Sequence, residues 1–142
     1  MGAYRHRLSF SAEHERADLG MLPAQLDMTA RVLWRAGEPR IAPSGRVIGG
    51  NRPNSYCSFD IGEGDDLPRS LREALKLLMP HRAMLEGLSA SGVTFGFFIG
   101  WFSGSLNSGE RLDWDLLRDI SDLKIALDFD FYGPEEPQRD AP

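Results

Sequence analysis

An α+β fold, with helices packed on one face of a mostly antiparallel sheet, is what this amino-acid sequence predicts. Three observations carry the prediction. Stretches that alternate with a period of two are interleaved with stretches whose apolar residues recur every three or four positions. These stretches follow the order β-α-β-β-α-β-α-β, which implies one sheet with its helices gathered on one side. The chain has 142 residues, 42% of them hydrophobic, enough for one domain with a sizeable core and no need of disulfides or a structural metal.

Each element has its own signal. From Tyr4 to Ser11, Tyr4, His6, Leu8 and Phe10 alternate with Arg5, Arg7, Ser9 and Ser11, as in a strand with one buried face. Within residues 17–28 a short helix should start near Leu22, where Pro23 falls in the first turn and forfeits no hydrogen bond. Residues 30–40 read as extended. Residues 37–54, with three prolines and four glycines, read as a loop. Tyr56, Ser58 and Asp60 then alternate with Cys57, Phe59 and Ile61 in a half-buried strand. Asp66 is placed to cap a helix that carries Pro68 in its first turn and Leu67, Leu71, Leu75 and Leu78 along one side. Pro80 should end or kink that helix near Met79, and Met84, Leu85 and Leu88 carry the pattern on to Gly92. The run VTFGFFIGWF, residues 93–102, is apolar on both faces and too short to cross a bilayer. It predicts a central strand covered on both sides, or on one side with a partner on the other. A Gly/Ser/Asn loop follows, and Asp113 should cap a helix with Leu116, Leu117, Ile120 and Leu123 as its apolar stripe. In the last strand Ile125, Leu127, Phe129 and Phe131 face one way, and Lys124, Ala126, Asp128 and Asp130 the other. Together these form one domain over residues 1–133, with a flexible tail over residues 134–142.

Charge narrows the function. The formal net charge of −5 argues against general nucleic-acid binding, which needs clustered lysine and arginine. The charge is also uneven. Residues 31–52 hold five arginines against Glu38 alone, whereas residues 110–142 hold ten acids against four bases. The first residues lack the apolar core of a signal peptide and no stretch reaches membrane length, so a cytoplasmic protein with no membrane partner is expected. A single cysteine, Cys57, forms no internal disulfide.

The last third of the chain reads FGFFIGWFSGSLNSGERLDWDLLRDISDLKIALDFDFYG. Trp101, Phe102, Ser103 and Gly104 end an apolar strand in a turn, Asn107 and Gly109 lie in the loop, and Asp128, Asp130 and Tyr132 mark the final strand. This pattern resembles the C-terminal signature of the bacterial DUF4279 family. Upstream, Thr29, Trp34, Arg35 and Gly37 are similar to a family segment in which a threonine turn leads to an aromatic and then a basic residue and glycine. The resemblance spans roughly residues 22–133, although the loop from Arg40 to Pro53 is longer than the family's pattern. Because the family's members have no established activity, the resemblance implies a fold and no chemistry.

The residues themselves offer few catalytic candidates. Asp128 and Asp130 lie two apart on one strand face, about 7 Å between side chains, a spacing suited to acid–base work across a water or to a hard cation. The same carboxylates serve to discourage aggregation at a strand edge, and Arg5 or Arg7 are candidate partners for them. His14 and Glu15 begin a zinc-protease pattern, but Asp18 stands where the second histidine belongs. His6 falls on the buried face of the first strand, and no histidine has a second ligand at metal spacing, so no metal or cofactor is expected. Cys57 alternates with Phe59 and Ile61 and reads as a small core residue. The loop GSLNSGE has no lysine, and Asp113 and Asp115 behind it would repel a phosphate.

What stands out is physical. Trp34, Arg35, Arg40 and Arg52 flank the long 35–54 loop, and arginine and tryptophan are frequent interface anchors. The expectation is therefore a non-enzymatic protein-binding module, of inhibitor or immunity type, that uses this loop beside the turn at Trp101 and Phe102. A small-ligand, divalent-cation or hydrolytic role for Asp128 and Asp130 is the alternative. A second copy of the chain is a further candidate partner.

Overall fold

The computed structural model describes residues 3–134. The tail expected over 134–142 lies, from residue 135 onward, outside them. The chain runs β1 (Tyr4–His14), α1 (Leu22–Leu26), β2 (Val32–Trp34), β3 (Pro39–Ile41), β4 (Val47–Asn51), β5 (Ser55–Gly64), α2 (Leu67–Leu78), a 3-10 turn (Met79–His81), α3 (Arg82–Ala90), β6 (Thr94–Ser103), α4 (Trp114–Asp122) and β7 (Ile125–Tyr132). The α+β class follows directly. Five strands form one sheet in the order β2-β5-β1-β6-β7, antiparallel except for the parallel pair β6 and β7 that α4 connects.

One face of the sheet carries the core. Leu8, Phe10 and Ala12 of β1, Cys57 and Phe59 of β5, and Phe95, Phe97, Ile99 and Trp101 of β6 are buried there in a single cluster with Leu71, Leu78, Leu85, Leu116 and Ile120 from the helices. α2 lies against β5 and β1, and α4 against β7. At the start of α2 the Asp66 carboxylate accepts a hydrogen bond from Arg69 N at 3.2 Å, and Pro68 needs no acceptor there. Pro80 interrupts the helix as its missing N–H requires, in the 3-10 turn before α3.

One expectation is corrected and one pair of alternatives is narrowed. Residues 37–54 are not an unstructured loop: β3 and β4 pair antiparallel as a two-stranded arm, Ile41 opposite Val47, closed by a turn in which Ala42 N donates to Arg46 O at 2.8 Å. Gly45, Gly49 and Gly50 take the positive φ angles that let so short an arm turn and twist. Nor is β6 covered on both sides by further layers of the described residues. Its second face alternates Gly96 and Gly100, which are buried, with Phe98 and Phe102, which stay about two-fifths exposed. The glycines make room for neighbouring side chains. A Cβ on Gly100 would come within 3.3 Å of the Phe102 ring, and one on Gly96 within 3.1 Å of the Asp128 carboxylate.

Candidate functional site

The sheet has an open face, opposite the helices, and the arm is rooted on it. Trp34 pairs with Tyr56, and Tyr56 with Glu13, so all three side chains share that face. Their rings stack: Trp34 lies 5.1 Å from Tyr56, and the Arg52 guanidinium sits 3.8 Å from the centre of the Trp34 ring. Backbone bonds from Gly37 N to Arg52 O and from Arg52 N to Glu38 O tie the foot of the arm. Ser55, buried on β5, accepts from Ala36 N at 2.9 Å, and Asn54 donates to Glu13. Trp34 and Arg52 are thus the root of the arm, and Arg35 is drawn 3.8 Å from Asp18.

Beyond that root the arm is bare. Every residue of β3 and β4 is exposed, including the β-branched Ile41, Val47 and Ile48. Among the described residues Arg40 and Arg46 take part in no ion pair. Sequence reasoning found Arg40 but passed over Ile41, Arg46, Val47 and Ile48. The available signal was the β-branched pair Val47–Ile48 with Ile41 before it, diluted by the surrounding glycines and prolines.

Trp101 does not join this group. It is 5% exposed, on the helix side, stacked 3.9 Å from Tyr4. Its row of the sheet is that of His6, seven positions along β1 from Glu13, so it lies roughly 23 Å from Trp34 along the strand direction alone, and three strands across. Trp101 instead fixes the 104–112 loop, donating from Nε1 to Ser108 Oγ at 3.0 Å. The Tyr4 hydroxyl completes the latch: it donates to Glu110 at 2.7 Å and accepts from Leu67 N at 2.9 Å. Burial pushes that hydroxyl up to about 12. Phe102 points to the open face, stacked on Tyr132 with Arg7 above it.

Asp128 and Asp130 do share the open face, opposite Phe98 and Gly100. The Tyr132 hydroxyl donates to Asp130, which also raises the tyrosine's own pKa. Arg5 and Arg7 do not pair with either aspartate, because β6 intervenes and two strand spacings are about 10 Å. Among the described residues no group of three His, Cys, Asp or Glu side chains converges on a metal-sized position. Further along the same face, a β-bulge between Leu8 and Ser9 opens a hollow of about 470 Å³ walled by Arg7, Arg31, Asp60, Gly62 and Glu63. Arg31 already pairs with Asp60 there at 3.3 Å.

The remaining chemical candidates are structural. Cys57 is buried and its thiol pushed up to about 11 by that burial, far from a thiolate at neutral pH. His14 Nδ1 accepts from Arg16 N and Ala17 N, leaving Nε2 as the donor to Ser91 O. His6 is buried against Ser70. No helix of the described residues is long and apolar enough to cross a membrane. The chain matches no protein-family model, no curated protein and no solved structure.

Proposed function

We propose that this is a non-enzymatic protein-binding module of the bacterial cytoplasm, of inhibitor or immunity type, whose contact element is the β3–β4 arm. The observation that carries the reading is the arm itself: Ile41, Val47 and Ile48 stand exposed beside Arg40 and Arg46, on a foot held by the Arg52–Trp34–Tyr56 stack. Exposed β-branched residues are costly on a free surface, and the two arginines beside them, with no ion pair among the described residues, suit a partner with an apolar patch rimmed by carboxylates. The stacked foot supports the reading too, since a pre-set arm loses less conformational entropy on binding. We further propose kinship with the DUF4279 family, on the turn at Trp101–Gly104 and the strand residues Asp128, Asp130 and Tyr132.

A photo-crosslinking residue at Val47, introduced in the native host cell, should trap one discrete protein adduct. The same residue at Leu77, exposed on α2, should not. Arg40→Glu with Arg46→Glu should abolish the adduct while leaving the thermal melt unchanged, because neither arginine holds the fold. No adduct, or equal adducts from Val47 and Leu77, would refute the assignment.

A further inference from the structure

We propose that the outer edge of β7 is a self-pairing surface, through which two copies of this chain join antiparallel about a two-fold axis at Leu127. β7 closes the sheet and bonds only to β6; among the described residues nothing pairs with its outer side. A strand of eight residues with that row of N–H and C=O groups unpaired is a template for another strand. The opposite edge offers much less, since β2 is three residues long.

The flank of α4 supplies a second, independent observation. α4 turns Leu116 and Ile120 to the core, and Asp115 toward α2, where Arg72 meets it at 3.3 Å. At 100° per residue, Trp114 and Leu117 fall on the side away from α2, the side that overlooks the β7 edge. Trp114 is 73% exposed and Leu117 40%, and on the strand below them Phe131 is 67% exposed. An unpaired edge bordered by apolar side chains from the helix above fits a copy of itself, because a two-fold brings edge to edge and α4 to α4 together.

Charge selects the register. Cross-strand partners share a face, so only alternate registers keep apolar against apolar. With the axis at Leu127, that residue meets its own copy, Phe129 meets the partner's Ile125, Asp128 meets the partner's Ala126, and Asp130 comes level with the partner's Lys124, the turn residue just before the strand. Two symmetric pairs of opposite charge are thus brought within reach of each other. Moving the axis to Asp128 sets that carboxylate against its own copy, and moving it to Phe129 sets Asp128 against the partner's Asp130 twice. The two aspartates therefore reject the registers toward the C-terminal end, and an axis at Ala126, which would set Lys124 against Asp128, overlaps the two strands over residues 125–127 only, against 125–129 for the axis at Leu127.

Sedimentation equilibrium of the full chain, with Lys124→Asp and Asp130→Lys, tests this. Lys124 sits at φ 55°, a left-handed position that aspartate tolerates. The unaltered chain should sediment at twice its monomer mass. Each single variant should fall to half that mass while still melting cooperatively, at a temperature no longer dependent on protein concentration, since each then opposes like charges. An equimolar mixture of the two variants should regain the doubled mass, because both pairs are then opposite in sign. A chain monomeric at every concentration overturns the proposal, as does a dimer indifferent to either charge reversal. So does a dimer abolished by Arg40→Glu and Arg46→Glu, which would place self-association on the arm.

Discussion

At the scale of single residues, His6 is the clearest case of a side chain whose role the sequence half reveals. The period of two in β1 places it on the buried face. Only the fold shows that Ser70 of α2 meets its Nε2 at 2.8 Å while Nδ1 is buried with no side-chain partner among the described residues. Burial is the first cause holding the imidazole pKa below its ordinary value; the Gly64 backbone, Asp66 and Asp65 oppose it, and Arg5 adds to it. The unfolded chain therefore takes up the proton first as pH falls. His6 contributes stability that is complete above about pH 6.5 and is lost as pH drops below that toward the lowered folded pKa. The melting temperature should fall between about pH 7.5 and 5.5, and His6→Gln should flatten that part of the profile. An equally steep profile in the variant would assign the effect elsewhere. Trp101 shows the converse: a tryptophan beside a turn looks like an interface anchor in sequence, and stacking on Tyr4 makes it core.

At the scale of elements, caps and periodicities were legible because they are local. The start of α2 at Asp66, its break at Pro80 and the late start of α1 before Pro23 all follow from which backbone N–H groups exist and where they point. The two capping aspartates nevertheless differ. Asp66 accepts from Arg69 N, whereas Asp113 makes no side-chain cap bond at the start of α4. Asp66→Ala should therefore cost about 1 kcal/mol in urea unfolding, and Asp113→Ala clearly less. Equal losses would mean that the helix dipole, not the hydrogen bond, is what these carboxylates serve. The β3–β4 arm was illegible for the opposite reason. Two strands of three and five residues, interrupted by Gly45, Gly49 and Pro43, carry too little alternation to outweigh their turn residues.

At the scale of the whole molecule, the sheet order decides what meets what. β1 lies at its centre, and Phe10 is fully buried with ring centres 5.5 Å from Phe95 and 5.8 Å from Phe97 on β6, and 6.3 Å from Phe59 on β5. Phe10→Ala should cost about 3–5 kcal/mol by urea denaturation, a large share of the roughly 5–15 kcal/mol that holds a typical domain. A loss near 1 kcal/mol would show that the core collapses around the gap. Sequence alone determined the α+β class, the succession of the main-sheet strands and their helices, the cap of α2 at Asp66 and its break at Pro80, and the buried side of β1. Those properties depend on neighbours within a turn or two along the chain. The tertiary structure alone decided that β7 runs parallel at an open edge, that Asp130 lies two strands from Arg7, that Arg52 seats on Trp34, and that Trp101 stands at the other end of the sheet. Each is a meeting of residues far apart in the chain, fixed by strand order and register, which no local pattern encodes.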